Sequence, residues 1–544
     1  MLAVIGKEFP LRLARAVVSA AGDAGPVPAS LATERTRESE LDRMLEHLQL
    51  AEFVYEQPAV GDIEYSFKHA LTHEVAYNSV LIERRKAMHE RIGAALETLY
   101  ADSLNDHVEQ LAYHYRRSAN VRKAVEYLGM AGRQAHRRWA HSESIGHLTG
   151  ALQLLHGLPE GPERTRQEIG LQLAYSEAVT TAKGPSAAEV DGALRRAREL
   201  CLALSDEARL FAVLLGLRWS CFFAGRWQEA IELSRQLLAL AEPAQHPLRL
   251  LWALDSLGQS LYESGEPQEA REHLERAVTL IPAVPEQMGL RVEDPRSVGL
   301  SQLSWVLWTL GYPEQALGRS REALALARKL GKPYSLCSAL SFAARLRQLR
   351  REPIPARELA NEQIALATER GFSLWLATAT CTLGWCLMEE GVLEEGINDL
   401  ERGWAQWLAI GNTRGLLGAQ MPEGYWRAGR LGQATAALHD LSKDAPQMAA
   451  AQIALLEGEL ALRSEHQGER EAEGHLRRAI GTAHRQAAKS WELRATTSLA
   501  RLLAKQGKRD EARAMLAEIY GWFTEGFDTA DLKDAKALLD ELGG

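Results

Sequence analysis

One helix ending occurs three times in this sequence, as Arg328-Lys329-Leu330-Gly331, Thr368-Glu369-Arg370-Gly371 and Leu408-Ala409-Ile410-Gly411. The three glycines are 40 residues apart. Glycine is favoured at such positions because the chain leaves a helix through a left-handed conformation that other residues resist. A fixed period in this range is typical of stacked supersecondary units, so the sequence predicts a repeat array.

A second series of turn residues lies between these glycines and divides each repeat into two helices. Its glycines are Gly225, Gly265, Gly311, Gly391, Gly429, Gly468 and Gly507. Arg351 lies midway between Gly311 and Gly391, where Leu349-Arg350-Arg351-Glu352-Pro353 supplies a turn without glycine. We therefore expect an all-α fold from about residue 105 to residue 544, built as a right-handed superhelix of antiparallel helix pairs.

The spacing of apolar and small residues within one repeat is that of the tetratricopeptide pattern. Leu254, Leu257, Gly258, Leu261, Ala270, Leu274, Ala277 and Pro282 fall at its positions. Gly258 and Ala270 are small because the two helices of the repeat are expected to cross there. A second repeat, from Leu383-Gly384 to Leu400, has Gly396 in the alanine position. The sequence therefore predicts a tetratricopeptide-like α-solenoid with repeats of about 40 residues.

The first hundred residues differ from the array. A helix is expected over residues 38–49, a β-hairpin with the only strands over residues 53–67, and a long helix from near His69 to about Tyr100. Residues 20–35 have the composition of a loop. Helix, hairpin and helix in this order predict a winged-helix-like module. The predicted segments are 1–100 (this module), 101–205 (helical linker and poorly phased repeats), 206–520 (repeats) and 521–544 (a capping helix).

Composition excludes several classes of function. The net charge of −9 and pI near 6.0 argue against nucleic acid as a partner, since few cations are available to pair with phosphates. No stretch reaches the roughly 18 uncharged apolar residues that a membrane span needs. The five cysteines are scattered, as in reduced proteins, and charged residues interrupt the N-terminal apolar run. We expect a cytoplasmic protein that does not bind membranes.

The stretch from Tyr65 to Gly93 carries the motif Phe67-Lys-His69-Ala-Leu71, followed by Glu74-Val-Ala76-Tyr77. It resembles bacterial multidomain proteins with a class III adenylate/guanylate cyclase domain, a P-loop ATPase of the signal-transducing type and a tetratricopeptide tail. The segment from Trp522 to Thr529 is similar to the same proteins. The resemblance implies that this chain is the regulatory tail of such a signalling protein, either a fragment or naturally detached.

The sequence contains neither catalytic part of those proteins. A P-loop needs G-x4-G-K-[ST], but Gly6-Lys7 is followed by Glu8, and Gly331-Lys332 by Pro333. We expect a non-catalytic interaction scaffold without a cofactor, whose partner is a protein or peptide and, by resemblance, an upstream cyclase/ATPase module. The alternatives are a fragment of an ATP-binding transcription activator and a fragment of an active adenylate cyclase whose catalytic domains are missing here.

His69 is the one candidate for cofactor contact. In the related ATPases the histidine of an aromatic-x-His motif reaches the bound nucleotide's phosphates, so the resemblance implies a nucleotide-sensing role when an ATPase domain is present. The alternative is that His69 only caps its helix. No metal site is expected, because His69 and His73 lack a third ligand and Tyr77 stands where H-E-x-x-H needs its second histidine.

Aromatic residues recur on the predicted first helix of each repeat. Trp219, Trp305 and Trp385 share one position, which the repeat phasing turns toward the concave surface. The predicted partner-binding residues are Trp219, Phe222, Trp252, Tyr262, Trp305, Trp308 and Trp385. Aromatic anchors of this kind provide much of the affinity of peptide-binding surfaces. The alternative is that these residues are packed between neighbouring first helices as core.

Overall fold

The structure is a computed structural model. It describes residues 1–19, 34–59, 62–244, 246–284, 293–412, 419–463 and 468–543. The described residues form 27 α-helices and one small sheet, divided between two compact units, Met1–Tyr175 and Ser176–Gly544. This confirms the predicted helical, tetratricopeptide-like fold class. The four segments predicted from the sequence remain a prediction. Within the described residues, no helix has the length and apolar character required to span a bilayer.

The first unit begins with a three-stranded antiparallel sheet surrounded by helices. Its elements are α1 (Leu2–Ile5), β1 (Glu8–Pro10), α2 (Leu11–Ser19), α3 (Glu34–Leu50), β2 (Val54–Ala59), β3 (Asp62–Phe67), α4 (Ala70–Asn78) and α5 (Ile82–Leu99). The strand order is β1-β3-β2, and Phe9 pairs with Tyr65. The helix, hairpin, helix order is observed, and most of the predicted loop over residues 20–35 lies outside the described residues.

Two expectations for this unit were wrong. β1 pairs with β3, so the strands are not confined to residues 53–67. The expected long helix is two helices, α4 and α5, which Ser79, Val80 and Leu81 separate. Leu81 has an extended ψ of 141°, so it starts α5 as an N-cap residue and cannot continue α4.

Helices alone complete the first unit. A 3₁₀ segment (Ala101–His107) leads into α6 (Val108–Arg116), α7 (Val121–Arg137), α8 (His141–Leu155) and α9 (Pro162–Lys183). Asn120 caps α7, since its side-chain oxygen accepts a hydrogen bond from Lys123 N at 3.1 Å. The boundary between the two units falls within α9.

The second unit consists of consecutive antiparallel helices. They are α10 (Ala188–Leu204), α11 (Glu207–Phe223), α12 (Trp227–Ala244), α13 (Pro247–Glu263), α14 (Pro267–Thr279), α15 (Pro295–Thr309), α16 (Pro313–Leu330), α17 (Pro333–Leu349), α18 (Pro353–Arg370), α19 (Ser373–Glu389), α20 (Leu393–Ala409), α21 (Gln420–Arg427), α22 (Leu431–Asp444), α23 (Ala450–Ala461), α24 (Glu469–Arg485), α25 (Lys489–Lys505), α26 (Arg509–Trp522) and α27 (Ala530–Gly543). From α11 onward, the odd-numbered helix is the first helix of each pair.

The predicted turn residues adopt the left-handed backbone that the glycine pattern indicated. Gly331, Gly371 and Gly411 have φ values of 63°, 70° and 80°. Arg351, the member of the series without glycine, has φ 61°. Gly468 was assigned wrongly, because its φ is −77° and it precedes α24 as the N-cap residue.

Small residues allow the helices of a pair to cross closely. A Cβ added to Gly384 would lie 2.6 Å from both Gly396 O and Leu400 N, which are backbone atoms that cannot move aside. A Cβ on Gly258 would lie 2.6 Å from Leu274 Cγ. The two helices of each repeat therefore cross closely at the predicted glycine and alanine positions, in both repeats.

Helices that are distant in sequence also meet within the second unit. The rings of Trp308 and Trp491 are 5.3 Å apart, and Ser490 Oγ donates to Trp308 O at 2.5 Å. Glu525 accepts hydrogen bonds from the N-terminal amides of α16, at 2.9 Å from Glu314 N. Such contacts join helices that lie far apart in the sequence.

Candidate functional site

An aromatic cavity lies between the first helices of five consecutive pairs, α11, α13, α15, α17 and α19. Its volume is about 80 Å³. Eight aromatic side chains line it: Trp219, Phe222, Phe223, Tyr262, Trp305, Phe342, Trp375 and Trp407. We call this space the aromatic cavity. Its walls suit one large apolar group, since aromatic rings offer extensive contact area at a low cost in side-chain entropy.

The structure separates the aromatic residues singled out from the sequence into two groups. Trp219, Phe222, Tyr262 and Trp305 line the aromatic cavity. The other three do not line it: Trp252 is 2% exposed, Trp308 packs against Trp491, and Trp385 lines a neighbouring groove.

The cavity walls are held by aromatic contacts within one helix, between successive repeats and between repeats distant in sequence. The rings of Trp305 and Phe342 lie 4.4 Å apart, and those of Phe223 and Trp407 lie 6.1 Å apart. Trp219 and Phe222 stack at 6.0 Å. These pairs fix the cavity's shape before any ligand enters, which lowers the conformational entropy lost on binding.

Polar groups without hydrogen-bond partners line the same cavity. Gln302 is 4% exposed, and within the described residues neither of its amide atoms has a partner. Gln259 Oε1 and Trp375 Nε1 belong to lining residues too, and both atoms are buried without a hydrogen-bond partner within the described residues. Buried polar atoms of a core are almost always paired, because an unmet donor or acceptor costs roughly 1–3 kcal/mol. A ligand that offers donors and acceptors would satisfy them.

A stripe of polar residues on α13 contributes two of the lining side chains. Asp255, Gln259 and Glu263 are one helical turn apart from each other in succession, so they share a face. Gln259 and Glu263 line the cavity. Burial raises the pKa of Glu263 to about 8, against the opposing effect of Arg218. Glu263 is therefore mostly protonated at neutral pH, and its carboxyl group can both donate and accept a hydrogen bond.

A charged groove adjoins the aromatic cavity. It has a volume of about 280 Å³ and is lined by residues of α17, α19, α21, α23, α25 and α27. Five arginines line it, namely Arg345, Arg351, Arg427, Arg494 and Arg501, together with five carboxylates, Glu389, Glu423, Glu459, Asp531 and Asp534. We call it the arginine groove. Arg345 lines both the groove and the aromatic cavity.

One position of the repeat supplies several side chains that line the aromatic cavity or the arginine groove. Trp219, Gln259, Trp305, Arg345 and Trp385 each stand six residues before the left-handed turn residue of their repeat. The tryptophans at this position recur with the repeat period, and the same count from the turn residue identifies Gln259 and Arg345. Trp375 and Trp407 lie outside this register, so the repeat pattern gave no signal for them.

The candidate site residues of the first unit have separate surroundings and share no contact that would make them one site. His69 is exposed at the N-cap position of α4, and its side chain makes no capping hydrogen bond. His73 Nε2 lies 2.9 Å from Ala3 O. The nucleotide-sensing role of His69 remains a prediction. His147 Nε2 lies 3.0 Å from a carboxylate oxygen of Glu109, with Glu143 nearby, an arrangement that a hydrogen bond between the imidazole and the carboxylate explains.

Comparison with known proteins identifies the repeats. Residues 194–283 and residues 493–518 match the tetratricopeptide repeat family. No curated protein matches the sequence at a significant level.

Three solved structures illustrate the structural likeness. A Rap protein complexed with competence and sporulation factor is 13% identical, with 67% of this chain and 98% of that chain covered and a TM-score of 0.48. The Rap conjugation gene regulator of plasmid pLS20 with the Phr* peptide is 15% identical (62% and 93% covered, TM-score 0.42). The human IFIT1 dimer with m7Gppp-AAAA is 15% identical (77% and 90% covered, TM-score 0.40). These identities are too low to transfer a function, and the two matched segments are what identify tetratricopeptide repeats in this chain.

Proposed function

We propose that the array of Ser176–Gly544 is a non-catalytic interaction module that binds a segment of a partner protein on its first helices. An apolar side chain of that segment enters the aromatic cavity. The observation that carries this proposal is that Gln302 and Gln259 are buried in the cavity wall, where both amide atoms of Gln302 and Oε1 of Gln259 have no hydrogen-bond partner within the described residues.

Packing alone does not account for this combination of residues. A cavity wall that served only as core would gain from apolar side chains at positions 259 and 302, because replacing unpaired buried amides with apolar groups of similar shape is neutral or favourable. Aromatic walls with a few polar groups are instead typical of binding sites. We infer that the amides hydrogen-bond to the backbone of the bound segment while the rings hold its side chain.

The partner that we propose is signalling machinery of the cyclase/ATPase type. The support for it is the motif around Phe67, His69 and Tyr77, which resembles the segment that precedes the tetratricopeptide tail in such proteins. In this proposal the array regulates its partner by binding and performs no chemistry itself.

The direct test is selection from a displayed library of random peptides with the whole chain as bait. We expect the wild-type chain to enrich peptides that share one Trp, Phe, Leu or Met anchor. Trp305→Ala and Trp375→Ala should abolish the enrichment. The matched control is Trp404→Ala, because Trp404 is half-buried on the second helix α20 and does not line the cavity.

Two results would contradict the proposal. One is the absence of any shared anchor among peptides selected by the wild-type chain. The other is an unchanged selection by Trp305→Ala and Trp375→Ala together with a large fall in melting temperature, which would show that these tryptophans are core residues.

A further inference from the structure

We infer that the partner segment carries an acidic side chain directly beside its apolar anchor, and that Arg345 binds this carboxylate where the aromatic cavity opens into the arginine groove. This inference rests on the proposed function and specifies the chemistry of its ligand.

Arg345 is positively charged and makes no ion pair within the described residues. Its Nη1 donates to Gln348 Oε1 at 2.6 Å, and no carboxylate oxygen of the described residues lies within 4.0 Å of its guanidinium. Burial lowers the pKa of Arg345 to about 10, against the opposing effect of the Glu423 carboxylate in the same groove, so Arg345 stays charged at neutral pH although it is poorly solvated. A half-buried charge in this state gains more from an incoming carboxylate than a fully hydrated one does.

Neighbouring arginines of the groove are already neutralised. Arg427 Nη2 lies 2.8 Å from carboxylate oxygens of both Glu389 and Glu423. Arg494 pairs with Asp531 at 2.8 Å, and Arg351 with Asp534 at 2.6 Å.

The position of Arg345 determines how close the acid must be to the anchor. Because Arg345 is itself part of the cavity wall, a carboxylate bound to it lies within one residue of a side chain inside the cavity. The groove then continues from α17 to Arg501 on α25, an exposed arginine with no ion pair within the described residues. A groove that extends beyond Arg345 accommodates a continuing chain, so we assign the anion to an Asp or Glu side chain and not to a chain terminus.

The test uses the same displayed peptide library, in two formats. In one format the C-terminus is blocked, and in the other it is free. With the blocked format, we expect the wild-type chain to enrich Asp or Glu at the position next to the apolar anchor. Arg345→Gln should keep the anchor and lose the acidic preference, whereas Arg345→Lys should retain part of it.

Affinity measurements with one selected, capped, fluorescein-labelled peptide make the comparison quantitative. Arg345→Gln should weaken binding about tenfold or more, as expected when a charge-assisted contact is lost. The matched control, Arg321→Gln, should change binding less than twofold, because Arg321 is exposed on the second helix α16 and lines neither the cavity nor the groove.

Failure of this inference can be told apart from failure of the proposed function. Enrichment of the anchor without an acidic preference, with a basic preference, or only in the free C-terminus format would overturn the acidic side chain and leave the interaction module standing. Loss of acidic preference in Arg321→Gln as well as Arg345→Gln would also overturn it. Absence of an anchor would overturn both.

Discussion

The indole N–H of Trp305 donates to the backbone carbonyl oxygen of Phe342, 3.0 Å away on the next first helix. Their rings are 4.4 Å apart. Two consecutive repeats are thereby joined at the wall of the aromatic cavity. The cavity is for this reason a property of the array and not of any single repeat.

Replacement of Gln302 by leucine should raise stability and lower partner binding. The substitution removes two buried amide atoms without partners and keeps a similar volume, so we expect the free energy of unfolding to rise by about 1 kcal/mol. Selected peptides should bind at least fivefold more weakly. Urea unfolding and fluorescence anisotropy measure the two effects. A clear loss of stability would mean that the amide serves the fold, contrary to our account.

The two acidic residues on the α13 stripe should make stability depend on pH. Burial raises the pKa of Asp255 and of Glu263 to about 8, above the values near 4 expected in the unfolded chain. The folded state therefore binds more protons, and stability falls as pH rises from about 4 to about 8. Asp255→Asn with Glu263→Gln should flatten this slope in urea titrations. An unchanged slope would show that both groups ionise freely in the folded protein.

A buried histidine pair should make the stability of the first unit fall as pH falls, opposite to the effect of the two acidic residues on α13. His89 Nδ1 and His114 Nδ1 lie 2.9 Å apart, and burial lowers the pKa of His89 to about 4 and of His114 to about 3. The folded state binds fewer protons than the unfolded chain, so the stability of this unit is lost as pH falls from about 6.5 toward 4. The protection factors of α5 and α6 amides, which correct for the intrinsic pH dependence of exchange, should fall over that range, and His114→Gln should reduce the fall. An equal fall of the protection factors in the variant would exclude the pair as the cause.

Substitution by alanine should lower stability at a glycine in a close helix crossing and raise it at a helical glycine with open space around it. Gly384→Ala places a methyl group against the backbone of α20 and should cost ~1–3 kcal/mol or more. Gly474→Ala lies in α24 where an added Cβ meets no atom within 4 Å, and it should gain up to ~1 kcal/mol from helix propensity. Thermal unfolding of both variants checks this. Similar effects of the two substitutions would argue against the close crossing at Gly384.

The sequence predicted what depends on local backbone conformation. The left-handed turns at Gly331, Gly371, Gly411 and Arg351 follow from the repeat period, since a turn without glycine must still occur where the period requires one. β1 could not be predicted, because Glu8, Phe9 and Pro10 are too few to show alternation.

The candidate site was predictable only in part, because a local sequence pattern shows which residues recur with the repeat but not which distant repeats come into contact. Trp219 and Trp305 repeat with the period, and so do Gln259 and Arg345 once the count from the turn residue is made. Trp407 joins the cavity from a second helix through its contact with Phe223, a residue 184 positions earlier. Contacts between repeats that far apart depend on how the array winds, which no local pattern encodes.

The most direct test of the central claim is nuclear magnetic resonance of the tryptophan indole N–H groups during titration with a selected peptide. We predict that the Trp375 signal moves downfield, because its N–H has no partner within the described residues and gains one from the ligand. The Trp305 signal should also shift, while that of Trp522, on α26 and outside the cavity, stays in place. Saturable binding that leaves Trp375 and Trp305 unchanged would contradict the account.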